Sequence, residues 1–248
     1  METRVAEVGD GIYQLTTYLP DMDFAVNQYL LTGDEPLLFH TGMRGLFPDV
    51  SAAAASVMPI KSLRWIGFGH VEADECGSMN EWLAAAPDAT VMQGAIGCMV
   101  SIGDLADRPP RPLSPGEKLD LGGHCVEWID TPHVPHAWEA GVLFDHTTRT
   151  LFCGDLFSQY GNYAPATTDD IVTPAIEAED AFASMSLHPA TGSIIRSLAE
   201  SDVAALALMH GPVFRGNCRD ALLGLAHDAD RRVQMSGVFC SSPSSTRP

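Results

Sequence analysis

Positive charge is scarce in this chain. Lysine and arginine together number 14 against 32 aspartates and glutamates, a formal charge of -18 over 248 residues. Nucleic acids and anionic lipid surfaces are recognised through clustered lysine and arginine, so neither is expected as a partner. The six cysteines (Cys76, Cys98, Cys125, Cys153, Cys218, Cys240) are scattered and form no CxxC pair. Disulfide scaffolds are short and cysteine-dense, so free thiols in a reducing cytoplasm are expected instead. The opening METRVAEVGDGIYQL lacks the apolar core of a signal peptide. No apolar run approaches the roughly 20 residues of a membrane-spanning helix, and a cytoplasmic location is the expectation. GxGxxG and P-loop patterns are absent too, so no nucleotide site is announced.

What is present is an ordinary globule, 46% hydrophobic and 19% charged. The length suits one domain, taken as residues 1–240, with the polar end 241–248 as a disordered tail. GIYQLT, NQYLLTG and PLLFHTG read as short strands, punctuated by turns at Gly9–Gly11 and Gly33–Pro36. PDVSAAAASVM reads as a helix capped by Asp49 or Ser51 and stopped by Pro59. LRWIGFGH is a buried strand, SMNEWLAAAP a helix, ATVMQG a strand and AIGCMVSIG a short helix. ADRPPRPLSPGEK is expected to be surface loop. Two hairpins follow, turning at Gly122-Gly123 and at 146–149, then helices near 176–187 and 189–200. The strand VAALALMHG and the helix NCRDALLGLAHDADRRVQ close the pattern. Hairpins dominate over βαβ units, which favours a layered sandwich over a doubly wound sheet.

Three apolar runs end in a metal-ligating residue type: WIGFGH at His70, LFCGD at Asp155 and ALALMHG at His210. A fourth segment, WIDTPHVPH, ends a strand and offers His133 and His136. A buried strand has little use for charge at its last position unless that end opens on a site. His70 also begins the run HVEADE, where Glu72, Asp74 and Glu75 crowd three carboxylates into four positions. Carboxylates packed so closely repel unless a cation sits between them. Imidazole and carboxylate donors suit iron, zinc or manganese, and no cysteine belongs to the pattern. Three histidines and three carboxylates are too many for one tetrahedral zinc. They fit two metals that share a carboxylate.

The order H-x-E-x-D, a histidine after DTP, then GD and then HG resembles the metallo-β-lactamase fold superfamily. Hydrolytic members usually carry H-x-H-x-D-H, whereas Glu72 gives this chain the H-x-E-x-D form of the flavodiiron proteins. FGHVEADECG, IDTPHVPHAWEAGVLFD and TRTLFCGDLFSQYG resemble the stand-alone oxygen-binding diiron proteins, which have this core without a flavodoxin domain. The resemblance runs from about NQYLL to HGPVFRG. It implies an α/β chain of the α+β kind folded as a single αββα sandwich. It also implies two iron ions (zinc or manganese as alternatives), one held by His70, Glu72 and His133, the other by Asp74 and His210, with Asp155 bridging. The chain departs from the flavodiiron pattern at Glu75, where that pattern has histidine. It departs from many superfamily members at His40, where they have aspartate. Glu75 can fill a ligand gap, leave it open, or stand outside the ligand set as a supporting residue like His136 and Tyr160, and His40 is taken as an outer or structural residue.

His136 is weighed as a partner orienting a ligand or a bound gas, against plain surface. Tyr29 and Tyr160 are weighed as hydroxyl donors near an oxygen species, against a core role. The resemblance implies a protein that binds dioxygen, nitric oxide or peroxide, as an oxidoreductase served by an external electron-donor protein or as a gas sensor. A homodimer is left open. The alternative is a binuclear hydrolase of the same fold acting on an ester, thioester or phosphodiester. A non-catalytic ligand-binding module is a third reading.

Overall fold

The structure, a computed structural model, describes residues 2–237. The 241–248 tail therefore lies outside the described residues. Apolar alternation and near-continuous apolar runs produce two seven-stranded sheets among the described residues. The first runs β1 (Thr3–Gly9), β2 (Ile12–Leu19), β3 (Phe24–Leu31), β4 (Leu37–Phe39), β5 (Trp65–Gly67), β6 (Thr90–Gly94) and β7 (Arg111–Leu113), in that spatial order. β1 to β4 pair antiparallel, and β4 to β7 are parallel. The second contains β8 (Lys118–Asp120), β9 (Cys125–Asp130), β10 (Gly141–Asp145), β11 (Thr150–Phe152), β12 (Ala166–Thr167), β13 (Ala205–Ala207) and β14 (Val213–Phe214). Its spatial order is β12-β14-β13-β11-β10-β9-β8.

β3 and β10 are covered on both faces, which explains their unbroken apolar character. Tyr29, Phe39, Trp128 and Phe152 fill the space between the sheets. Trp128 needs two glycines: a Cβ on Gly141 would lie 2.2 Å, and one on Gly94 2.8 Å, from its ring atoms. The helices Phe47–Val57 and Met79–Ala85 cover the outer face of the first sheet over Val26, Leu30 and Ile66. The helices Val172–Phe182, Thr191–Leu198 and Cys218–Met235 cover the second over Val142, Leu151 and Leu206. The result is the αββα sandwich expected from the sequence. Among the described residues no helix is long and apolar enough to cross a membrane.

Three local expectations need correction. The proline-rich loop contains β7, because a strand at a sheet edge tolerates Pro112 without losing an inner ladder bond. The helix placed near 176–187 spans Val172–Phe182 instead, since Asp170 Oδ1 accepts the N–H groups of Val172 and Thr173 at 2.8 and 3.4 Å and so starts it earlier. The first helix begins at Phe47 with Pro48 in its first turn, and neither Asp49 nor Ser51 caps it.

Candidate metal centre

Loops leaving the strand ends carry the polar residues of interest to one edge of the sandwich. β5 ends at Gly67, and the chain bends at 69–71 before Glu72 (φ -139°, ψ 161°) leads into a four-residue helix, Ala73–Cys76. The bend brings the His70 and Glu72 side chains within 2.9 Å of each other, and Asp74 sits in the helical turn that follows. Asp155 follows β11 after Gly154, whose φ of +53° turns the chain back across the edge. His210 follows β13, and His136 lies in the loop between β9 and β10.

His70 Nε2 lies 2.9 Å from Glu72 Oε2 and 3.6 Å from Asp155 Oδ2. His136 Nε2 is 3.0 Å from both His70 Nε2 and Glu72 Oε2, and 3.3 Å from Asp155 Oδ2. One ligand atom from each of these four residues falls within 4.8 Å of the others. On the far side of Asp155, His210 Nε2 is 3.2 Å from Asp155 Oδ1 and 3.2 Å from Asp74 Oδ2. Asp155 therefore presents one oxygen to each of two groups. His210 donates from Nδ1 to the Ala25 carbonyl at 2.9 Å, so its Nε2 is free to face the carboxylates.

The electrostatics at this edge are those of carboxylates crowded around imidazoles. Two like charges about 4 Å apart repel by about 4 kcal/mol at an effective dielectric of 20, a large part of a domain's net stability. Burial disfavours a charged His70, yet Glu75, Glu72 and Asp155 raise it to about 9. His210 is likewise raised against burial, to about 10, by Asp155 and Asp74. Burial pushes Asp155 up, but His210, His70 and His136 outweigh it and hold it at about 2. Hydrogen bonds from His136 and His70 hold Glu72 well below the usual carboxylate range. Protons on the imidazoles here supply positive charge among the carboxylates. Asp74 Oδ1 is buried without a hydrogen-bond partner, and Asp155 Oδ1 has only the His210 imidazole, at 3.2 Å. A nitrogen and oxygen donor set with an orphaned carboxylate oxygen fits iron, zinc or manganese.

Of the sequence-predicted residues, His70, Glu72, Asp74, Asp155 and His210 come together, and His133 does not. Its ring stacks on His188, centroids 4.7 Å apart, while His136 takes the place expected of it. The cause is the tight turn at 133–137. His133 adopts φ +67°, Ala137 φ +64°, and the His133 N–H donates to the Ala137 carbonyl at 2.9 Å, which turns the first ring out and the second in. Glu75 is fully buried, lies 3.5 Å from His40 Nε2 and from His70 Nδ1, and accepts the Gly69 N–H at 2.6 Å. Burial pushes Glu75 up to about 8 and His40 down to about 3. Tyr29 is a core residue whose hydroxyl donates to the Leu208 carbonyl at 2.6 Å. Tyr160 stacks on Phe182, and Phe24 lies over the His210 ring at 4.3 Å. Sequence reasoning missed Phe24 and the Ala25 carbonyl, both at the start of a strand that carries no ligand signal of its own.

A two-sheet αββα core with histidine- and carboxylate-bearing loops along one edge defines a metallo-β-lactamase-like protein. A family model described as ODP family beta lactamase matches residues 24–211, and the chain belongs to that family. It is similar to diflavin flavoprotein A 1 of Thermosynechococcus vestitus, 28% identical over 149 residues, covering 56% of this chain and 26% of that protein. It is also similar to rubredoxin-oxygen oxidoreductase of Megalodesulfovibrio gigas, 24% identical over 206 residues, covering 80% of this chain and 51% of that protein. The solved structure of the rubredoxin oxygen:oxidoreductase from Desulfovibrio gigas superposes with a TM-score of 0.81 at 19% identity, covering 92% of this chain and 62% of that one. The chain thus matches between a quarter and about half of the length of these two curated relatives.

Proposed function

We propose that this protein is a non-haem diiron protein that binds and reduces dioxygen or nitric oxide with electrons from an external donor protein. The observation that carries this reading is Asp155, which offers one oxygen to His70, Glu72 and His136 and the other to His210. His70, Glu72, His136 and Asp155 would hold one iron, and Asp74, His210 and Asp155 the other. Two irons there would supply the redox chemistry. Glu72 supports iron over a hydrolytic zinc site, because a carboxylate in place of an imidazole lowers the Lewis acidity felt by bound water. The Phe24 ring shields His210 from solvent.

The test is turnover. Iron-loaded protein supplied with an artificial electron donor is expected to consume dioxygen or nitric oxide catalytically. Stoichiometric uptake without turnover would make it a sensor. Thioester or phosphodiester cleavage without gas uptake would establish the hydrolase.

A further inference from the structure

Asp74 and Glu75 are consecutive residues of one helical turn, so their side chains diverge by about 100° around the helix axis. Asp74 faces His210 at 3.2 Å. Glu75 is turned to the other side, into a closed pocket where it is fully buried. Its Oε2 accepts the Gly69 N–H at 2.6 Å. Its Oε1 lies 3.5 Å from His70 Nδ1, the nitrogen on the opposite side of the ring from the converging ligand atoms, and 3.5 Å from His40 Nε2. The backbone walls the carboxylate in: a Cβ on Gly154 would meet Oε1 at 3.2 Å, and one on Gly69 would meet both oxygens at 3.5 Å. Glu75 Oε1 and His40 Nε2 have no hydrogen-bond partner elsewhere, and they face each other.

A carboxylate behind a ligating imidazole fixes the ring's orientation and tautomer and strengthens it as a donor. The three ligating histidines differ in this respect. His70 has a carboxylate behind it, His210 has the Ala25 carbonyl at 2.9 Å, and His136 Nδ1 is buried without a partner. We propose that Glu75 is a positioning residue, not a ligand: it accepts the Nδ1–H of His70, presents Nε2 to the first metal position, and leaves the second with Asp74, His210 and Asp155 alone. The two positions are therefore unequal in affinity. His40 and Glu75 face each other at 3.5 Å as a buried imidazole–carboxylate pair. The inference rests on the metal reading of the site.

Zinc is the probe, titrated into metal-depleted protein against a chromophoric chelator. Wild type is expected to fill in two steps separated by tenfold or more, and Glu75→Gln to weaken the tighter step by about 10- to 100-fold while sparing the weaker one. In zinc-loaded wild type, nitrogen-15 NMR should find His70 bound through Nε2 with a slowly exchanging, downfield Nδ1–H. That second readout needs no variant, so it decides the matter even if Glu75→Gln does not fold. The exchange of both partners, His40→Asp with Glu75→His, is expected to narrow the gap between the steps and to restore stability lost in either single change. A weakened second step with an intact first would make Glu75 a ligand and overturn the proposal, as would equal steps in wild type or His70 bound through Nδ1. A wild type that takes up no metal would overturn the metal reading itself, a result distinct from two steps that ignore Glu75.

Discussion

The two sides of Asp155 are built in opposite ways. On one side His70, Glu72 and His136 converge from two loops, and Glu72 is half-exposed. On the other side Asp74 and His210 stand almost alone, yet the segment carrying His210 is bolted to the sheet. Asn27 Nδ2 donates to the Leu208 and Gly211 carbonyls at 2.9 and 2.7 Å, and the Asn27 N–H donates to the Met209 carbonyl at 2.9 Å. Tyr29 and Ala25, on the same strand, hold Leu208 and His210. On the proposed reading the first metal position would gain strength from the number of its ligands, the second from preorganisation of a few. Two neighbouring positions that share one carboxylate need not share one design.

The largest expected effect removes what both sides share. Asp155→Asn should lower metal content at both positions, measured as metal bound per chain after gel filtration; retention of two tightly held ions would separate the two sides altogether. Next come changes confined to one side. Glu72→Ala or His136→Ala should empty or weaken the first position and His210→Ala the second, each leaving about one ion per chain. His133→Ala should change neither, and loss of an ion there would restore His133 to the ligand set.

Acidity gives a third contrast. Histidines raised on folding add stability that is complete below their unfolded value of about 6.5 and is lost as pH rises through the folded value. For His70 and His210 those values are about 9 and about 10. Metal-free protein should therefore melt at progressively lower temperature between pH 7 and pH 10. Zinc-loaded protein, whose ligands are already deprotonated, should not show this loss. Parallel curves would contradict the account. The smallest effect is Tyr29→Phe. The Leu208 carbonyl keeps Asn27 as a partner, so stability should fall by only about 1 kcal/mol in chemical denaturation, with any loss of metal affinity confined to the second position.

Much of this was legible in the residues. Apolar runs ending at His70, Asp155 and His210 announced strands opening on a common edge, because burial of both strand faces forces such runs whatever the tertiary detail. The choice between His133 and His136 was not legible. HVPH offers both, and the left-handed backbone at 133 and 137, which sends the His133 ring towards His188 and the His136 ring towards His70, is a property of the closed turn. The direction of Glu75 was hidden for a related reason: nothing in HVEADE announces the helical turn that begins at Ala73 and sends Asp74 and Glu75 to different sides. β7 was masked by prolines that only its edge position tolerates.

The central claim, a binuclear iron centre that responds to a diatomic gas, is tested most directly by the optical spectrum of iron-loaded protein reduced without air and then exposed to it. The account predicts about two irons per chain, a colourless reduced form, an absorption band that develops on exposure and disappears on rereduction, and no change in zinc-substituted protein. An iron-loaded protein that stays silent to both dioxygen and nitric oxide, while cleaving a thioester or a phosphodiester, would contradict it.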